Sequence, residues 1–469
     1  MLTEKMVEAA MLEIKENLER LCQEPAEAAL SPDSAQEVGR GIHAALAAGG
    51  KAAFRTFLQA KEEPRDIVVS DGETFRFKAL IPKSFWTIWG KMEVLRKVFQ
   101  NAADTRTHVP LDNNWGMARE SVTLEVREAA AFVCAHVTPE EAAALFEKTA
   151  MFHPHPTVIK DALKRIEERV APCREEVDRR IREDEQAPQG TRALVASMDG
   201  VNVLLNEPGT QQGRPPERPK GGADNEKKTA YKNAMVGVVS YYGEVREGEK
   251  CPERLESRYV SHMPEDRAAA FKKKFEAELR DAMAQCPSDV RNVILCDGAR
   301  GIWNYIDNNE LFEAFEKLID YWHAADHLSL AAEALFGKGS GEAKAWYEKY
   351  AKKLKEEEGG AQRVLDSMDY YAKAGKLPSG RRKDLNTQRT FFARNKHRMT
   401  YANFRERGLP IGSGPVEAAC KSLVKARLCR SGMRWSRQGG QRILDLRTYV
   451  KSNRWDAFWQ QYKKLDCAV

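Results

Sequence analysis

ALVASMDGVNVLL, residues 193–205, is an apolar run interrupted at Asp199-Gly200, and it predicts a buried strand that breaks at that pair. The segments that follow predict, in order, two strands, a helix, a short apolar strand and a strand that ends near His323: YKNAMVGVVSYYGEV (231–245), SRYVSHM (257–263), FKKKFEAELRDAM (271–283), RNVILCD (291–297) and EKLIDYWH (316–323). Three strands in sequence, then a helix, then strands alternating with helices are typical of a ribonuclease-H-like α/β fold.

Outward from this core, the pattern divides the chain of 469 residues into further regions. We expect an α/β ribonuclease-H-like catalytic core with a helical insertion, preceded by a mostly α-helical N-terminal region that contains a helix-turn-helix and a small β element. The bounds are 1–65 for the N-terminal helices, 66–120 for the β-containing element, 121–190 for the helix-turn-helix and linker, 191–333 for the first part of the core, 334–403 for the insertion, and 404–469 for the C-terminal part of the core.

Turn and linker signals mark the joints between these regions. Ser31-Pro32 and Gly49-Gly50 punctuate the helical pattern near the amino terminus, and Asp71-Gly72 between two apolar runs predicts a hairpin. Residues 206–228 are rich in Gly, Pro and basic side chains, which predicts a mobile loop that DNA would order.

A helix-turn-helix is predicted between residues 138 and 166. Thr138-Pro139-Glu140-Glu141 forms a capping box at the start of one helix, and a second helix carries Val158, Ile159, Ala162, Leu163 and Ile166 on one face. Lys160, Lys164 and Arg165 are then available for DNA phosphates, although helix pairs of this kind are common in all proteins. His153 and His155 between the helices are either metal ligands or turn residues, and the absence of nearby cysteines and carboxylates favours the turn.

The composition places few limits on partners but several on location. No stretch approaches the length of a membrane-spanning helix, so we expect no membrane contact and a cytoplasmic, nucleoid-associated protein. The nine scattered cysteines contain no CxxC pair, which indicates reduced thiols and excludes a zinc ribbon. The net charge of +6 is too small to indicate nucleic acid by itself.

Two long runs without any acidic residue flank Glu417, namely Leu385–Arg405 and Ala418–Ile443. They are either solvated basic faces or surfaces whose counter-charge comes from a polyanion such as DNA. The candidate DNA contacts in the second run are Lys421, Lys425, Arg427, Arg430, Arg434 and Arg437.

Asp199, Asp297 and Glu417 form a candidate catalytic triad. Asp199 and Asp297 each follow an apolar strand and precede a glycine, while Glu417 falls in the first turn of a helix that Gly412-Ser413-Gly414 and Pro415 introduce. Two Mg²⁺ ions held by such carboxylates would cut a phosphodiester. The alternative is that each Asp-Gly is an ordinary turn, as Asp71-Gly72 is predicted to be.

From about residue 120 onward, the chain resembles bacterial insertion-sequence transposases of the DDE superfamily, in particular the ISKra-type group related to Mutator-like elements. The resemblance lies in MDG (198–200), LCDGARGIWNYI (295–306), LIDYWHAADHL (318–328), GLPIGSGPVEAACK (408–421), RLCRSGMRWSRQGGQRILDLR (427–447) and WDAFW (455–459).

This resemblance implies two-metal catalysis by Asp199, Asp297 and Glu417 with Mg²⁺, for which Mn²⁺ can substitute. It also implies an auxiliary role for His323 near the scissile phosphate, with Asp320 as its orienting partner. The implied partners are transposon-end DNA with terminal inverted repeats and target DNA, bound by a homodimer or a higher oligomer. Trp435 would stack on a splayed base, whereas Trp455 and Trp459 are expected in the core.

The sequence departs from the family in one place. Many relatives carry a cysteine-rich zinc element near the amino terminus, and VFQNAADTRTHVPLD (98–112) has no cysteine, so no zinc is expected. Two alternatives to an active transposase stay open: a structure-selective DNA nuclease on the same fold, and a domesticated or inactive DNA-binding protein.

Overall fold

The computed structural model describes residues 11–12, 14–16, 18–20, 30–149, 152–207, 230–374 and 377–466. The chain forms two compact units, Met1–Val177 with Ala457–Val469 and Asp178–Asp456. Within the described ranges, no helix combines the length and the apolar character needed to cross a membrane. Most of the predicted basic loop and most of the helical pattern before residue 30 lie outside the described residues.

The first unit contains a long helix, α1 (Pro32–Gln59). Ser31 caps it through a capping box with Ser34, and Pro32 begins its first turn, as the punctuation at Ser31-Pro32 predicts. The predicted break at Gly49-Gly50 was wrong, since the helix continues through both residues. A Cβ at Gly50 would overlap the Trp89 ring, so this glycine serves close packing and not chain termination.

The first unit contains an antiparallel sheet in the order β1-β2-β3-β4. Its strands are β1 (Ile67–Ser70), β2 (Glu73–Thr87), β3 (Gly90–Asn101) and β4 (Thr107–His108). The predicted hairpin at Asp71-Gly72 is confirmed: Ser70 pairs with Glu73, and both turn residues have positive φ, 51° and 77°. Two consecutive positive φ angles suit the tight turns whose twist matches that of the strands.

The remaining helices of this unit are α2 (Pro110–Asn114), α3 (Leu124–His136), α4 (Pro139–Thr149) and α5 (Pro156–Val170). The predicted capping box is confirmed, because Thr138 Oγ1 accepts from the Glu141 N–H at 3.1 Å and Glu141 Oε2 accepts from the Thr138 N–H at 2.7 Å. Along α5, Ile159, Leu163 and Ile166 are buried, which confirms the apolar face. Helix α6 (Arg174–Glu183) then leads into the second unit.

The second unit is built on a five-stranded mixed sheet in the order β7-β6-β5-β8-β9. Its strands are β5 (Ala193–Leu204), β6 (Tyr231–Val245), β7 (Pro252–His262), β8 (Arg291–Cys296) and β9 (Glu316–Ile319). Strand β6 is antiparallel to β5 and β7, whereas β5, β8 and β9 run parallel. The central strand is buried from Ala193 to Met198, as expected of a strand covered on both faces.

Two strand bounds differ from the predictions. Strand β5 is not broken at Asp199-Gly200, because its ladder with β6 pairs Asp199 with Val236 and continues to Leu204. Strand β9 ends at Ile319, and His323 lies in the following helix instead of at a strand end. Cross-strand pairing with β6 overrides the local turn signal in the first case.

Helices surround and interrupt this sheet. They are α7 (Ala269–Gln285), α8 (Arg300–Asp307), α9 (Tyr321–Phe336), α10 (Gly341–Glu356), α11 (Gly360–Ala374), α12 (Ser379–Asn395), α13 (Tyr401–Glu406), α14 (Gly414–Ala419), α15 (Ala426–Leu428) and α16 (Arg437–Lys451). The last helix, α17 (Trp455–Asp466), belongs to the first unit from Ala457 onward. Helices α10 to α13 are the predicted helical stretch between the last strand and Glu417. The core combines strand residues such as Leu194 and Leu295 with α9 residues such as Leu328.

Candidate active site

Three aspartates stand level on the parallel strands: Asp199 lies within β5, Asp297 directly follows β8, and Asp320 directly follows β9. Strands β5 and β8 pair Ala196 with Ile294, and this register, continued three residues along each strand, sets Asp199 beside Asp297. Strands β8 and β9 pair Cys296 with Ile319, so Asp320 follows in the same row. The Asp320 N–H donates to the Cys296 carbonyl at 2.8 Å and extends the ladder to this row. Residues in register on parallel strands project to the same face, which gathers the three carboxylates.

Asp320 is the residue that joins this row to two other segments. Its Oδ1 accepts from the His323 N–H at 2.8 Å, which makes Asp320 the N-cap of α9. Its Oδ2 accepts from the Ser413 N–H, in the turn that precedes Glu417. The predicted pairing of Asp320 with His323 is therefore present, but the contact is to the backbone of His323 and not to its imidazole.

Glu417 approaches from helix α14, as the sequence predicts. The turn at Gly412-Ser413-Gly414 ends at the helix start, Pro415 occupies its first turn, and Glu417 lies in the same turn. The helix then passes through a π-helical segment, Cys420–Lys425, before α15. Single π turns within α-helices are frequent at functional sites, because the extra residue re-aims neighbouring side chains.

These elements enclose one cavity of about 260 Å³, which we call the acidic pocket. The four residues predicted as catalytic all line it, and Asp320 and two lysines join them: Asp199, Asp297, Glu417, His323, Asp320, Lys421 and Lys425. Carboxylates from two adjacent strands and one helix thus line a single pocket, although the first and the last, Asp199 and Glu417, are more than 200 residues apart in sequence.

The acidic pocket disfavours negative charge on Asp297. Burial raises the pKa of its carboxyl, and the nearby charge of Asp199 raises it further, while the Ala299 N–H that donates to Oδ1 at 3.0 Å partly opposes both. Burial and Asp199 also raise the pKa of the Cys420 thiol, whose Sγ donates to Asp199 Oδ2 at 3.5 Å. A cation in the pocket would relieve this crowding of carboxylates.

The donor set of the acidic pocket suits a hard divalent cation. Carboxylate oxygens are the ligands that Mg²⁺ and Mn²⁺ prefer, and Asp199, Asp297 and Glu417 offer six such oxygens. As the side chains are placed, no three His, Cys, Asp or Glu groups in the described ranges stand close enough to hold one ion together. Glu417 is exposed and lines the pocket together with Asp199 and Asp297.

Comparison with known proteins adds little to this geometry. No protein-family model matches the chain, and no curated protein matches it either. Among solved structures, the chain is similar to one described as the Drosophila P element transposase strand transfer complex, at 10% sequence identity and a TM-score of 0.22. The alignment covers 74% of this chain and 82% of that one.

Two of the predicted DNA contacts are engaged inside the protein. Arg427 is 2% exposed and its guanidinium lies over the Trp435 ring, 5.1 Å from the centroid. The prediction that Arg427 contacts phosphate was therefore wrong, because a buried side chain cannot reach DNA. The Trp435 indole N–H donates to the Leu428 carbonyl at 3.0 Å. The Arg427 guanidinium, and not a base, occupies one face of this ring.

The other predicted contacts near Glu417 lie at the surface. Lys421 and Lys425 are exposed at the mouth of the acidic pocket, and Arg430 and Arg434 are exposed farther along the same segment. Arg437 is paired with Glu207, with 2.6 Å between Nε and Oε1. Lys421 and Lys425 are thus the cations best placed beside the carboxylates.

The predicted contacts of the helix-turn-helix are exposed but paired. Lys160 lies 2.6 Å from Glu140, Lys164 lies 3.4 Å from Glu168, and Arg165 donates to the Arg119 carbonyl. Exposed ion pairs are worth about 0–1 kcal/mol, so phosphates can compete for these side chains.

The histidines between these helices fill the predicted turn. His155 is the N-cap of α5, where its Nδ1 accepts from the Thr157 N–H at 3.3 Å. The His153 ring packs edge-on against Trp86, with 5.8 Å between centroids. The preference for turn residues over metal ligands is confirmed for His155.

Sequence reasoning missed two features of the site. Cys420, which contacts Asp199, gives no local signal because a lone cysteine on a helix is usually a core residue. Arg300, Arg382 and Lys383 line one cavity with Gly298, the residue after Asp297, and only folding brings them together. Arg300 lies within the motif LCDGARG, in which only the aspartate carries a catalytic signal.

Proposed function

We propose that this protein is a DDE-type DNA transposase, which nicks the ends of a mobile element and joins them to target DNA. The observation that carries the proposal is the acidic pocket, where Asp199, Asp297 and Glu417 converge from two adjacent strands and a helix. The motifs that resemble ISKra-type transposases contain all three acids, and this agreement supports the assignment.

The architecture supports a ribonuclease-H-like core. Three antiparallel strands precede helix α7, and the parallel strands β8 and β9 follow it, each with a helix after it. That order is the one predicted for this fold from the sequence. Helices α10 to α13 stand between the last strand and the helix of Glu417, where the sequence pattern predicts a helical insertion.

In this proposal, Asp199, Asp297 and Glu417 would hold two Mg²⁺ ions. Bound ions supply an activated water or 3′-hydroxyl and neutralise the leaving oxygen. Lys421 and Lys425 draw the DNA phosphate to the pocket mouth. His323, which Asp320 holds in the first turn of α9, stands ready to exchange a proton with a departing oxygen.

Two DNA ends must be processed together, so the proposal includes a homodimer or a larger assembly on DNA. Each copy would bind one terminal repeat, and target DNA would enter after the element ends are cut. The alternatives, a structure-selective nuclease and a DNA-binding protein without activity, keep the fold and lose one or both chemical steps.

The test is cleavage of a labelled duplex that carries the inverted repeats flanking the gene, in the presence of Mg²⁺. We expect Asp297→Asn to lower cleavage more than about 100-fold, since even changing a group behind a metal ligand costs 10- to 100-fold. Asp289→Asn, at the opposite end of β8 and exposed, is the matched control and should cleave normally.

The same reaction separates the candidate functions. Joining of the cut ends to a plasmid supports the transposase, and cleavage without joining supports the nuclease. Equal cleavage by Asp297→Asn and the unmodified protein would remove the triad from the mechanism, and binding without any metal-dependent cleavage would leave the inactive DNA-binding protein.

A further inference from the structure

A second cavity, of about 740 Å³, opens beside the acidic pocket between helix α12 and the start of α8. We call it the basic groove. Four cations surround it together with a glycine and an aromatic ring: Arg300, Arg382, Lys383, Arg394, Gly298 and Phe391.

The residues that line the basic groove include no carboxylate. Asp384, the acidic residue of α12, lines a different cavity with Glu333. In the described part of the chain, Arg300, Arg382 and Lys383 have no ion-pair partner.

Neighbouring cations are paired within the protein, which sets the basic groove apart. Arg389 bonds to Asp369, and Arg398 bonds to Asp307. Burial and the charges of Arg300 and Arg398 lower the pKa of Arg394, whose Nη2 reaches only the Gly298 carbonyl, at 3.4 Å. Positive charge is therefore concentrated in the groove, and no described residue forms an ion pair with Arg300, Arg382 or Lys383.

The basic groove continues directly from the acidic pocket. Asp297 lines the pocket, and the next residue, Gly298, lines the groove. His323 lines the pocket and His327 the groove, and their ring centroids are 5.0 Å apart. A polyanion held at the carboxylates can thus extend into the groove.

We propose that the basic groove binds backbone phosphates of the DNA strand whose scissile phosphate lies in the acidic pocket. The inference deepens the proposed function and rests on it for the position of the scissile phosphate. Arginine and lysine in an acid-free channel bind phosphate through charge-assisted hydrogen bonds, and this binding is independent of base sequence. Helix α12 of the insertion thereby becomes part of the DNA-binding surface.

The test measures binding of a fluorescein-labelled duplex of mixed sequence by anisotropy, in EDTA and over a series of salt concentrations. The variant Arg382→Gln with Lys383→Gln removes two groove cations. The matched control, Arg280→Gln with Lys352→Gln, removes one arginine and one lysine that are exposed on other helices. We expect the groove variant to bind DNA more weakly than the unmodified protein. We also expect the slope of log association constant against log salt concentration to decrease in magnitude by about 2, one unit for each lost phosphate contact.

Both side-chain pairs are exposed, and thermal melting of each variant verifies that it is folded. The inference is overturned if the groove variant binds DNA with the same affinity and the same salt dependence as the control. Cleavage in Mg²⁺ and its loss in Asp297→Asn are measured on the duplex that carries the inverted repeats, and they decide the proposed function separately. If the groove variant binds DNA more weakly but the unmodified protein never cleaves DNA, the groove is a DNA-binding surface and the transposase proposal is rejected.

Discussion

Asp320 shows how one buried side chain organises the candidate site. It is 1% exposed, and its two oxygens accept from the N–H groups of His323 and Ser413. It thereby fixes the first turn of α9 and the turn before Glu417 at the same point. The positions of His323 and Glu417 both depend on a residue that we assign no chemical step.

Asp320→Asn should lower the free energy of unfolding by about 1–3 kcal/mol. The amide oxygen can still cap α9, but the amide nitrogen would face the Ser413 N–H, which leaves two donors opposed in a buried place. Urea denaturation measures the loss.

Asp326→Asn, exposed on the same helix, is the matched control and should change stability by less than about 0.5 kcal/mol. An Asp320→Asn variant as stable as the original protein would show that these hydrogen bonds do not hold the two segments.

At the residue scale, the sequence predicted the acids better than the cations. Asp297 follows a strand end and Glu417 lies at a helix start, as their local signals predict, whereas Asp199 lies within a strand that continues past it. Arg427 stands in an acid-free run yet is buried against Trp435. Charge alone cannot distinguish a cation that stacks on an aromatic ring within the protein from an exposed cation that is available to bind phosphate.

At the scale of elements, two Asp-Gly pairs with the same local pattern have different structures. Asp71-Gly72 is a two-residue hairpin turn with positive φ at both residues. Asp199-Gly200 is continuous strand, paired with Val236 and Met235 of β6. The partner strand lies some 35 residues away in sequence, so the local pattern could not distinguish the two cases.

Gly298→Ala should disturb the junction between β8 and α12. An added Cβ would overlap the ring of Phe391, which is 6% exposed and stacks on His327. We expect a loss of about 1–3 kcal/mol in unfolding free energy, as is usual for overpacking, together with weaker DNA cleavage. Chemical denaturation and the cleavage assay measure the two effects.

The control is Gly301→Ala in α8, where an added Cβ meets no atom within 4 Å. Alanine at a helical position of this kind should keep or raise the stability by up to about 1 kcal/mol. Phe391→Leu combined with Gly298→Ala should recover part of the loss, because the smaller side chain makes room. Additive losses in the double variant would contradict the proposed overlap.

At the scale of the whole molecule, the order of elements was more predictable than their bounds. The strands of the second unit appear in the predicted order, and the clearest signals come from β5, β6 and β8, which are largely apolar runs. The sheet of the first unit was predicted only as a hairpin, whereas β3 and β4 extend it to four strands. The apolar residues of β3 are interrupted by Lys91, Glu93, Arg96 and Lys97, and the regular alternation breaks at Leu95-Arg96, so its signal is weaker than that of a buried run.

A buried ion cluster links separate segments of the second unit. Arg454 donates to both oxygens of Glu278, at 2.9 and 2.6 Å, and to both oxygens of Glu185, each at 2.7 Å. Glu278 belongs to α7, while Arg454 directly precedes α17. Burial alone would raise the pKa of Glu278, but the charge and hydrogen bonds of Arg454 hold it below the ordinary value of 4.5.

This depressed pKa fixes the sign of the pH dependence. A carboxylate whose pKa is lower in the folded protein stabilises the fold above its unfolded pKa, and the contribution disappears as pH falls through the folded value. Arg454→Met should cost about 3–5 kcal/mol at pH 7, because it leaves Glu278 ionised and buried without its main partner.

In the Arg454→Met variant, protonation removes the buried and unpaired charge of Glu278, which raises stability. In the unmodified protein, protonation of Glu278 breaks its ion pair with Arg454, which lowers stability. The stability gap between them should therefore narrow between pH 7 and pH 4.5, as measured by urea denaturation at each pH. Arg280→Gln, which breaks an exposed pair with Glu276, should cost less than about 1 kcal/mol at either pH. A gap for Arg454→Met that stays constant with pH would mean that the lost stability comes from packing of the arginine side chain and not from the charge of Glu278.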